Sequence, residues 1–108
     1  DSEILVHLIE KVDIQTFTKE LNGMFAISIY DIENRIVHLI RDFAGIKPLY
    51  YGVHNQGLVF ASQFDQIFCH PAFENKKLRP EIMKEYFGLG YMQAPNTVFE
   101  NIFQKIRK

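Results

Sequence analysis

The sequence predicts an α+β fold, in which an antiparallel sheet has helices packed on it. Apolar residues first recur at helical spacing and then, from Met24 onward, alternate with a period of two, which is typical of strands. Ten Phe and five Tyr with no Trp also favour sheet packing over a helical bundle. Because helices precede and follow a run of strands, the pattern indicates an α+β fold rather than an alternating α/β fold.

The first element is predicted to be an amphipathic helix over residues 1–12. Its apolar stripe consists of Ile4, Leu5, Leu8, Ile9 and Val12. Asp1 begins this helix, where unpaired amides and the helix dipole favour a carboxylate. A second, shorter helix is predicted from about residue 14 to residue 21, since Asn22-Gly23 is a helix-stop pair.

Four antiparallel strands are predicted next, as one meander between Met24 and Ala61. The predicted strands are residues 24–30, Ile36–Ile40, Leu49–Val53 and Leu58–Ala61. Neither face of the first strand is strongly polar, so both of its faces are expected to be covered by other parts of the protein.

Two more helices and a last apolar element complete the predicted order. Ser62 is expected to cap a short helix that runs to Phe68. Arg79-Pro80-Glu81 begins a longer helix, with Pro in its first turn, and Gly88-Leu89-Gly90 ends it. The apolar stripe of that helix consists of Ile82, Met83, Tyr86 and Phe87. A short apolar element is predicted over residues 98–106.

The loop Arg41–Tyr51 is the connection around which the strands are arranged. Gly45 allows a positive φ in this loop, and Pro48 fixes its own φ and restricts the residue before it. The rest of the loop is mostly apolar, so we expect it to pack against the fold. Arg41 and Asp42 are expected to form a structural ion pair that fixes the loop, rather than to contact substrate.

The composition excludes several classes of function. A net charge of −1 over 108 residues indicates no excess of positive charge for the binding of nucleic acid. No apolar run approaches the roughly 20 residues that a membrane span requires, so no membrane partner is expected. The single cysteine, Cys69, excludes an internal disulfide framework and is typical of a reducing compartment, so a cytoplasmic location is expected.

The residues alone predict little catalytic chemistry. The four histidines are scattered, with no two at ligand spacing on one element, so no metal site is expected. Cys69 lies beside His70, but the side chains of sequence neighbours point apart, and Cys69 is expected to be a small buried residue at a helix end. Gly88-Leu89-Gly90 follows a helix rather than a strand, the reverse of a phosphate-binding loop. Asp1 is either an ordinary helix cap or an ionised carboxylate suited to a cation such as an amino group.

Several stretches of the chain together resemble one protein family. These stretches are Asp1-Ser2-Glu3, Leu21–Ala26, Ile29-Tyr30-Asp31, Arg41–Tyr51, Phe60-Ala61-Ser62, Leu89–Met92, Ala94–Phe99, Asn101-Ile102 and Lys105-Ile106. In order and spacing they resemble the class II glutamine amidotransferase domain of glutamine-hydrolysing asparagine synthetases, over essentially all 108 residues. Gly45–Tyr51 and Tyr91–Pro95 favour the asparagine synthetase type over other members of the class.

The resemblance implies a four-layer αββα fold of the N-terminal-nucleophile hydrolase type. In that family a cysteine at the start of the mature chain attacks the side-chain amide of glutamine, which gives a thioester and ammonia. Ammonia then reaches a second domain, where ATP and Mg²⁺ serve to activate the side chain of aspartate for conversion to asparagine. The implied partners are glutamine, aspartate and ATP, and Asp1 matches the aspartate that holds the α-ammonium group of glutamine.

The sequence departs from the family pattern because it has no match to the first half of the domain or to the nucleophile. Residues 1–108 resemble only the C-terminal half, so we expect a partial glutamine amidotransferase type 2 domain without its first half and without the ATP-dependent synthetase domain. Cys69 does not match the nucleophile, so the chain is expected to hold no catalytic residue and no cofactor of its own. We expect it to be inactive alone and to form homo-oligomers, since half of a sandwich leaves a sheet face uncovered.

Two other functions fit the same residues. One is an asparagine-synthetase-like enzyme that transfers nitrogen to another carboxylate, and this half of the domain does not distinguish the two acceptors. The other is a non-catalytic module that has kept the fold as a surface for binding or dimerisation. A cysteine directly after the initiator Met of the full gene product would argue against this second alternative.

Overall fold

The structure is a computed structural model that describes residues 2–55 and 57–106. Asp1 lies outside the described residues. The helices are α1 (Ser2–Ile9), α2 (Ile14–Glu20), α3 (Pro80–Leu89) and two 3-10 helices, Phe64–Cys69 and Pro71–Phe73. The strands are β1 (Ala26–Asp31), β2 (Ile36–Arg41), β3 (Tyr50–His54), β4 (Gly57–Ala61) and β5 (Ile102–Gln104). Helices together with antiparallel sheets confirm the predicted α+β class.

The first helix ends at Ile9 rather than at the predicted residue 12, and the next helix begins with its own cap. Oδ1 of Asp13 accepts hydrogen bonds from the amides of Gln15 and Thr16, at 2.9 and 3.0 Å, so α2 begins at Ile14. No residue of α1 is buried, whereas Phe17 of α2 is fully buried. The apolar stripe expected along the first helix is therefore only partly covered.

The strands form two separate antiparallel sheets, so the predicted four-stranded meander is wrong. β1 pairs with β2 alone, and the second sheet has the order β4-β3-β5. Tyr51 of β3 lies opposite Phe60 of β4 on one side and opposite Phe103 of β5 on the other. Because β5 takes the second edge of β3, no edge of β3 is left for β2.

One face of the first strand, β1, is exposed, which corrects the expectation that both of its faces are covered. Along β1, Ala26, Ser28 and Tyr30 are exposed, whereas Ile27 and Ile29 on the opposite face are half-buried. Residues of a strand alternate between the two faces of a sheet, so this pattern marks one partly covered face and one exposed face.

The core lies beneath the second sheet. Ile67, Phe73 and Ile102 are buried together, and Tyr50 and Val59 of the sheet pack on them. The first 3-10 helix begins after Gln63 rather than Ser62, and the Gln63 amide donates to Oε1 of Gln66 at 3.3 Å, which corrects the predicted cap.

The third helix ends at Gly90, whose φ of +78° is left-handed, whereas Gly88 lies inside the helix. Its predicted apolar stripe is only partly buried: Ile82 is buried, and Tyr86 and Phe87 are exposed. None of the helices in residues 2–55 and 57–106 is both long and apolar enough to cross a bilayer.

Candidate functional site

Arg41 stands at the end of β2 and binds three backbone carbonyl groups. Its Nε donates to the Lys47 carbonyl at 2.7 Å, its Nη1 donates to the Lys105 carbonyl at 2.7 Å, and its Nη2 donates to the Gly45 carbonyl. The residue is only 7% exposed. A guanidinium has five N–H donors in a rigid fork, which suits it to hold several acceptors in a fixed arrangement.

Asp42 complements Arg41 by binding backbone amides. Its Oδ1 accepts from the Ile46 amide at 3.0 Å, and its Oδ2 accepts from the amides of Lys47 and Phe25, at 3.1 and 3.3 Å. The residue is 1% exposed. Burial raises the pKa of the Asp42 carboxyl, but the amide donors outweigh that effect and hold its pKa below the ordinary value. The carboxylate is therefore ionised at neutral pH.

The ion pair expected between Arg41 and Asp42 is corrected to two separate sets of bonds. Arg41 binds carbonyl groups and Asp42 binds amides, and both sets include the loop that joins the two sheets. Successive residues of an extended chain point to opposite sides, which explains why Arg41, the last residue of β2, and Asp42, directly after it, reach different groups. Together they fix the loop between β2 and β3 from both sides.

The loop itself has the backbone that the sequence requires. Gly45 has a φ of +66°, and a Cβ atom there would lie 3.2 Å from Cζ of Arg41. Glycine thus provides both the left-handed conformation and the space for the guanidinium. Pro48 is exposed, and it leads into the buried Leu49 at the start of the second sheet.

Lys105 links the loop to the segment after β5, a contact that no local pattern in the sequence predicts. Its amide donates to the Leu49 carbonyl at 2.7 Å while its own carbonyl accepts from Arg41. Burial and the charge of Arg41 lower the pKa of the Lys105 ammonium. A carbonyl group that is 64 residues away leaves no trace in a local pattern, so only the three-dimensional structure shows this contact.

The other predicted site residues lie apart from this loop. Asp1 lies outside the described residues, so its role stays a prediction. Cys69 is exposed at the end of a 3-10 helix, which corrects the expectation that it is buried. Nδ1 of His70 accepts from the Ala72 amide at 3.2 Å, so this nitrogen already has a backbone partner. Within residues 2–55 and 57–106, no group of three or more potential metal ligands is placed to hold a metal ion.

Comparison with known proteins gives the relatives of this chain. Asparagine synthetase (glutamine-hydrolyzing) 2 of Bacillus subtilis is 44% identical over 71 residues, which are 66% of this chain and 9% of that protein. Asparagine synthetase (glutamine-hydrolyzing) 3 of the same organism is 30% identical over 103 residues, which are 94% of this chain and 16% of that protein. The human asparagine synthetase (glutamine-hydrolyzing) is 36% identical over 59 residues, 55% of this chain and 10% of that protein.

These matches confirm the resemblance to asparagine synthetases. The chain spans a fifth or less of the length of the first curated relatives that it matches. The family profile described as "Glutamine amidotransferase domain" matches residues 1–107. Since that profile covers nearly every residue, the chain belongs to the glutamine amidotransferase domain family.

Proposed function

We propose that this chain is part of the glutamine-hydrolysing unit of an ATP-dependent asparagine synthetase. The observation that carries the proposal is the family match over residues 1–107, together with relatives whose names specify glutamine hydrolysis. In this proposal the two sheets belong to a four-layer αββα fold of the N-terminal-nucleophile hydrolase type. The complete protein releases ammonia from glutamine and uses it to convert aspartate to asparagine in the cytoplasm.

In the proposed reaction, Asp1 binds substrate and other parts of the protein carry out the bond breaking. A carboxylate next to the α-ammonium group of glutamine forms a charge-assisted hydrogen bond, which is roughly twice as strong as a neutral one. The nucleophile is a cysteine outside these 108 residues, and its thiolate attacks the side-chain amide of glutamine. Cys69 is not assigned this role, because its position in the chain does not match that of the nucleophile in the family.

The described residues do not fit the binding of ATP and Mg²⁺. Residues 2–55 and 57–106 have no cluster of three or more potential metal ligands. The close glycine pair Gly88 and Gly90 lies at the C-terminal end of α3, where helix carbonyls rather than amides are unpaired. In this proposal ATP and Mg²⁺ act in the synthetase part of the complete protein and not at the described residues of this chain.

The loop between the two sheets serves as a scaffold in this proposal. Arg41 and Asp42 both bind backbone groups, so their hydrogen bonds hold the chain rather than a ligand. A site that must place a substrate within a fraction of an ångström needs such supporting contacts around it.

The experiment compares two nitrogen sources in the complete polypeptide that contains these residues. Asparagine formation is measured with glutamine and, separately, with ammonium chloride. Asp1→Asn removes the charge next to the α-ammonium group, and we expect kcat/KM for glutamine to fall by about 10- to 100-fold, since a hydrogen bond to a charged group contributes about 1.5–3 kcal/mol. Synthesis from ammonium chloride should not change, because ammonia does not need this contact.

The matched control is Glu3→Gln, an exposed carboxylate two residues further along the chain. This variant should form asparagine as the original protein does, both from glutamine and from ammonium chloride. Equal kcat/KM values for glutamine in the Asp1→Asn variant and the original protein would refute the role of Asp1. A complete polypeptide that makes no glutamate from glutamine would refute the proposed function itself.

A further inference from the structure

A cavity of about 260 Å³ lies at the end of β3, beside the buried core of the second sheet. We call it the lysine cavity, and the residues that line it include His54, Phe68, Phe73, Lys76, Lys77 and Glu100. Its volume exceeds the roughly 150 Å³ that holds a benzene molecule in a protein interior, and it is just below the roughly 300–1,000 Å³ of pockets for drug-sized ligands. The lysine cavity therefore has room for one small ring that carries a charged group.

The lysine cavity lies on the face of the second sheet that the chain covers with its own two 3-10 helices. Gly52 and His54 are two residues apart in β3, so they lie on the same face, and a Cβ atom at Gly52 would meet the ring of Phe73. In the proposed αββα arrangement the sheets face each other in the middle, with helices on their outer sides. The surface that this sheet offers to another sheet is therefore the opposite face, and the lysine cavity belongs to the outer side.

Aromatic rings form the floor of the lysine cavity. Phe73 and Ile102 are buried at its base, only 6% and 1% exposed. The rings of Phe68 and Phe99 meet edge to face, with centroids 4.7 Å apart, and the His54 ring lies 6.0 Å from that of Phe73. Because aromatic rings pack well against other rings, such a floor favours a flat, apolar group in the ligand.

Backbone hydrogen bonds hold the walls of the lysine cavity in place. The Glu100 amide donates to the Lys77 carbonyl at 2.9 Å, and the Val53 amide donates to the Asn101 carbonyl at 2.9 Å. These bonds join the segment that carries the lysines to the segment before β5, and that segment to β3. A cavity whose walls are already fixed costs a ligand less ordering when it binds.

The rim of the lysine cavity carries an excess of positive charge. Lys76 and Lys77 are exposed there, and Glu100 is the one carboxylate among the described residues that line it. Nζ of Lys76 lies 4.6 Å from the centre of the Phe68 ring, a cation–π contact that keeps this ammonium group at the cavity. Within residues 2–55 and 57–106, neither lysine forms an ion pair with a carboxylate. Two ammonium groups against one carboxylate attract an anion.

We propose that the lysine cavity binds a small aromatic anion. The ring of this ligand lies on the phenylalanine floor, and its carboxylate or phosphate group accepts hydrogen bonds from Lys76 and Lys77. Hydrogen bonds between an ammonium group and an anionic oxygen are charge-assisted, and they are roughly twice as strong as neutral ones. The proposal does not depend on the proposed enzymatic function.

The test is isothermal titration calorimetry of the complete polypeptide that contains these residues, with phenyl phosphate and benzoate as probes. Phenol supplies the ring without the charge, and inorganic phosphate supplies the charge without the ring. We expect at least one aromatic anion to bind more tightly than both of these control compounds, and the tighter of the two identifies the anionic group. Because the complete protein is also proposed to bind ATP, variants of the cavity are needed to locate the probe.

Three variants locate the probe through charge alone. Lys76→Gln combined with Lys77→Gln should raise the Kd of the tighter aromatic anion at least about tenfold, since it removes both charged donors. Glu100→Gln should lower that Kd, because it removes a carboxylate that repels the anion. Lys19→Gln is the matched control, since Lys19 is exposed in α2 and lies outside the cavity, and its Kd should equal that of the original protein.

A second measurement uses the original protein and so does not depend on how any variant folds. Lysine side chains are acetylated with a chemical reagent, and mass spectrometry of the peptides gives the rate at each position. A saturating concentration of the tighter aromatic anion should slow acetylation at Lys76 and Lys77 and leave the rate at Lys19 unchanged. The proposal would be overturned if neither aromatic anion bound more tightly than phenol and inorganic phosphate. A Kd that the double lysine variant does not change, or acetylation of Lys76 and Lys77 at the same rate with and without the anion, would also overturn it.

Discussion

The guanidinium of Arg41 donates to the carbonyl oxygen of Lys105 at 2.7 Å, and this bond joins the end of the first sheet to the segment after the second sheet. The two residues are 64 positions apart in the chain. The same guanidinium also holds the carbonyls of Gly45 and Lys47 within the connecting loop. Arg41 thus fixes the loop and also links it to the segment that follows β5.

Arg41→Lys should destabilise the protein although it keeps the positive charge. A lysine ammonium has one nitrogen and cannot reach three divergent carbonyls from this position, so buried acceptors lose their donors. We expect the free energy of unfolding to fall by about 2–4 kcal/mol, measured by urea denaturation. Arg35→Lys, at an exposed position in the turn before β2, should change it by less than about 0.5 kcal/mol. Equal losses in both variants would contradict the assigned role of Arg41.

Asp42 should make the protein sensitive to acid. The folded protein holds the pKa of the Asp42 carboxyl below its ordinary value of 3.8, so the unfolded chain binds this proton more readily than the folded protein does. The stabilisation is therefore complete above the ordinary value and is lost as the pH falls through 3.8 toward the lower pKa of the folded protein.

Asp42→Asn removes this titration, and chemical denaturation between pH 3 and pH 7 measures the effect. The variant should be less stable than the original protein at neutral pH, and the difference between the two should shrink in acid. Glu20→Gln, at an exposed helix end, serves as the control and should follow the original protein at each pH. A stability difference that is independent of pH would mean that Asp42 acts only through its shape.

Two glycines allow opposite predictions from the same substitution. Gly45→Ala places a side chain at a φ of +66° and a Cβ atom 3.2 Å from Cζ of Arg41, so we expect a loss of about 1–2 kcal/mol. Gly88→Ala lies inside α3, where nothing is within 4 Å of the added Cβ atom, and it should stabilise the protein by up to about 1 kcal/mol. Thermal unfolding of both variants checks the signs, and a stabilising Gly45→Ala would refute the packing described for the loop.

The sequence predicted features that depend on neighbouring residues and missed those that depend on distant ones. The positive φ of Gly45 and the end of α2 before Asn22-Gly23 follow from local chemistry, and both are found. The separation into two sheets was missed because β5 competes for an edge of β3 from about fifty residues away, and no local pattern records that competition. The partners of Arg41 were missed for the same reason, since one of them is the carbonyl of Lys105.

Gly52 tests how tightly the core packs against the second sheet. A Cβ atom at this position of β3 would lie 2.7 Å from Cζ of Phe73 and 3.1 Å from Cγ2 of Ile67. Both neighbours are buried, so neither has solvent to move into. We expect Gly52→Ala to lower the free energy of unfolding by about 1–3 kcal/mol, measured by urea denaturation, because overpacking forces side chains off their preferred rotamers.

A double-mutant cycle separates this clash from a general effect of alanine in the strand. Phe73→Leu shortens the side chain that the new Cβ atom would meet, so the loss caused by Gly52→Ala should be smaller in the Phe73→Leu background by at least about 0.5 kcal/mol. Gly57→Ala in β4 is the matched control, since its Cβ atom would meet only the His54 carbonyl, at 3.3 Å. Gly57→Ala should change the free energy of unfolding by the same amount in the original protein and in the Phe73→Leu variant. If the losses from Gly52→Ala and Phe73→Leu simply add, the close approach of the β3 backbone to the Phe73 ring is not what requires glycine at position 52.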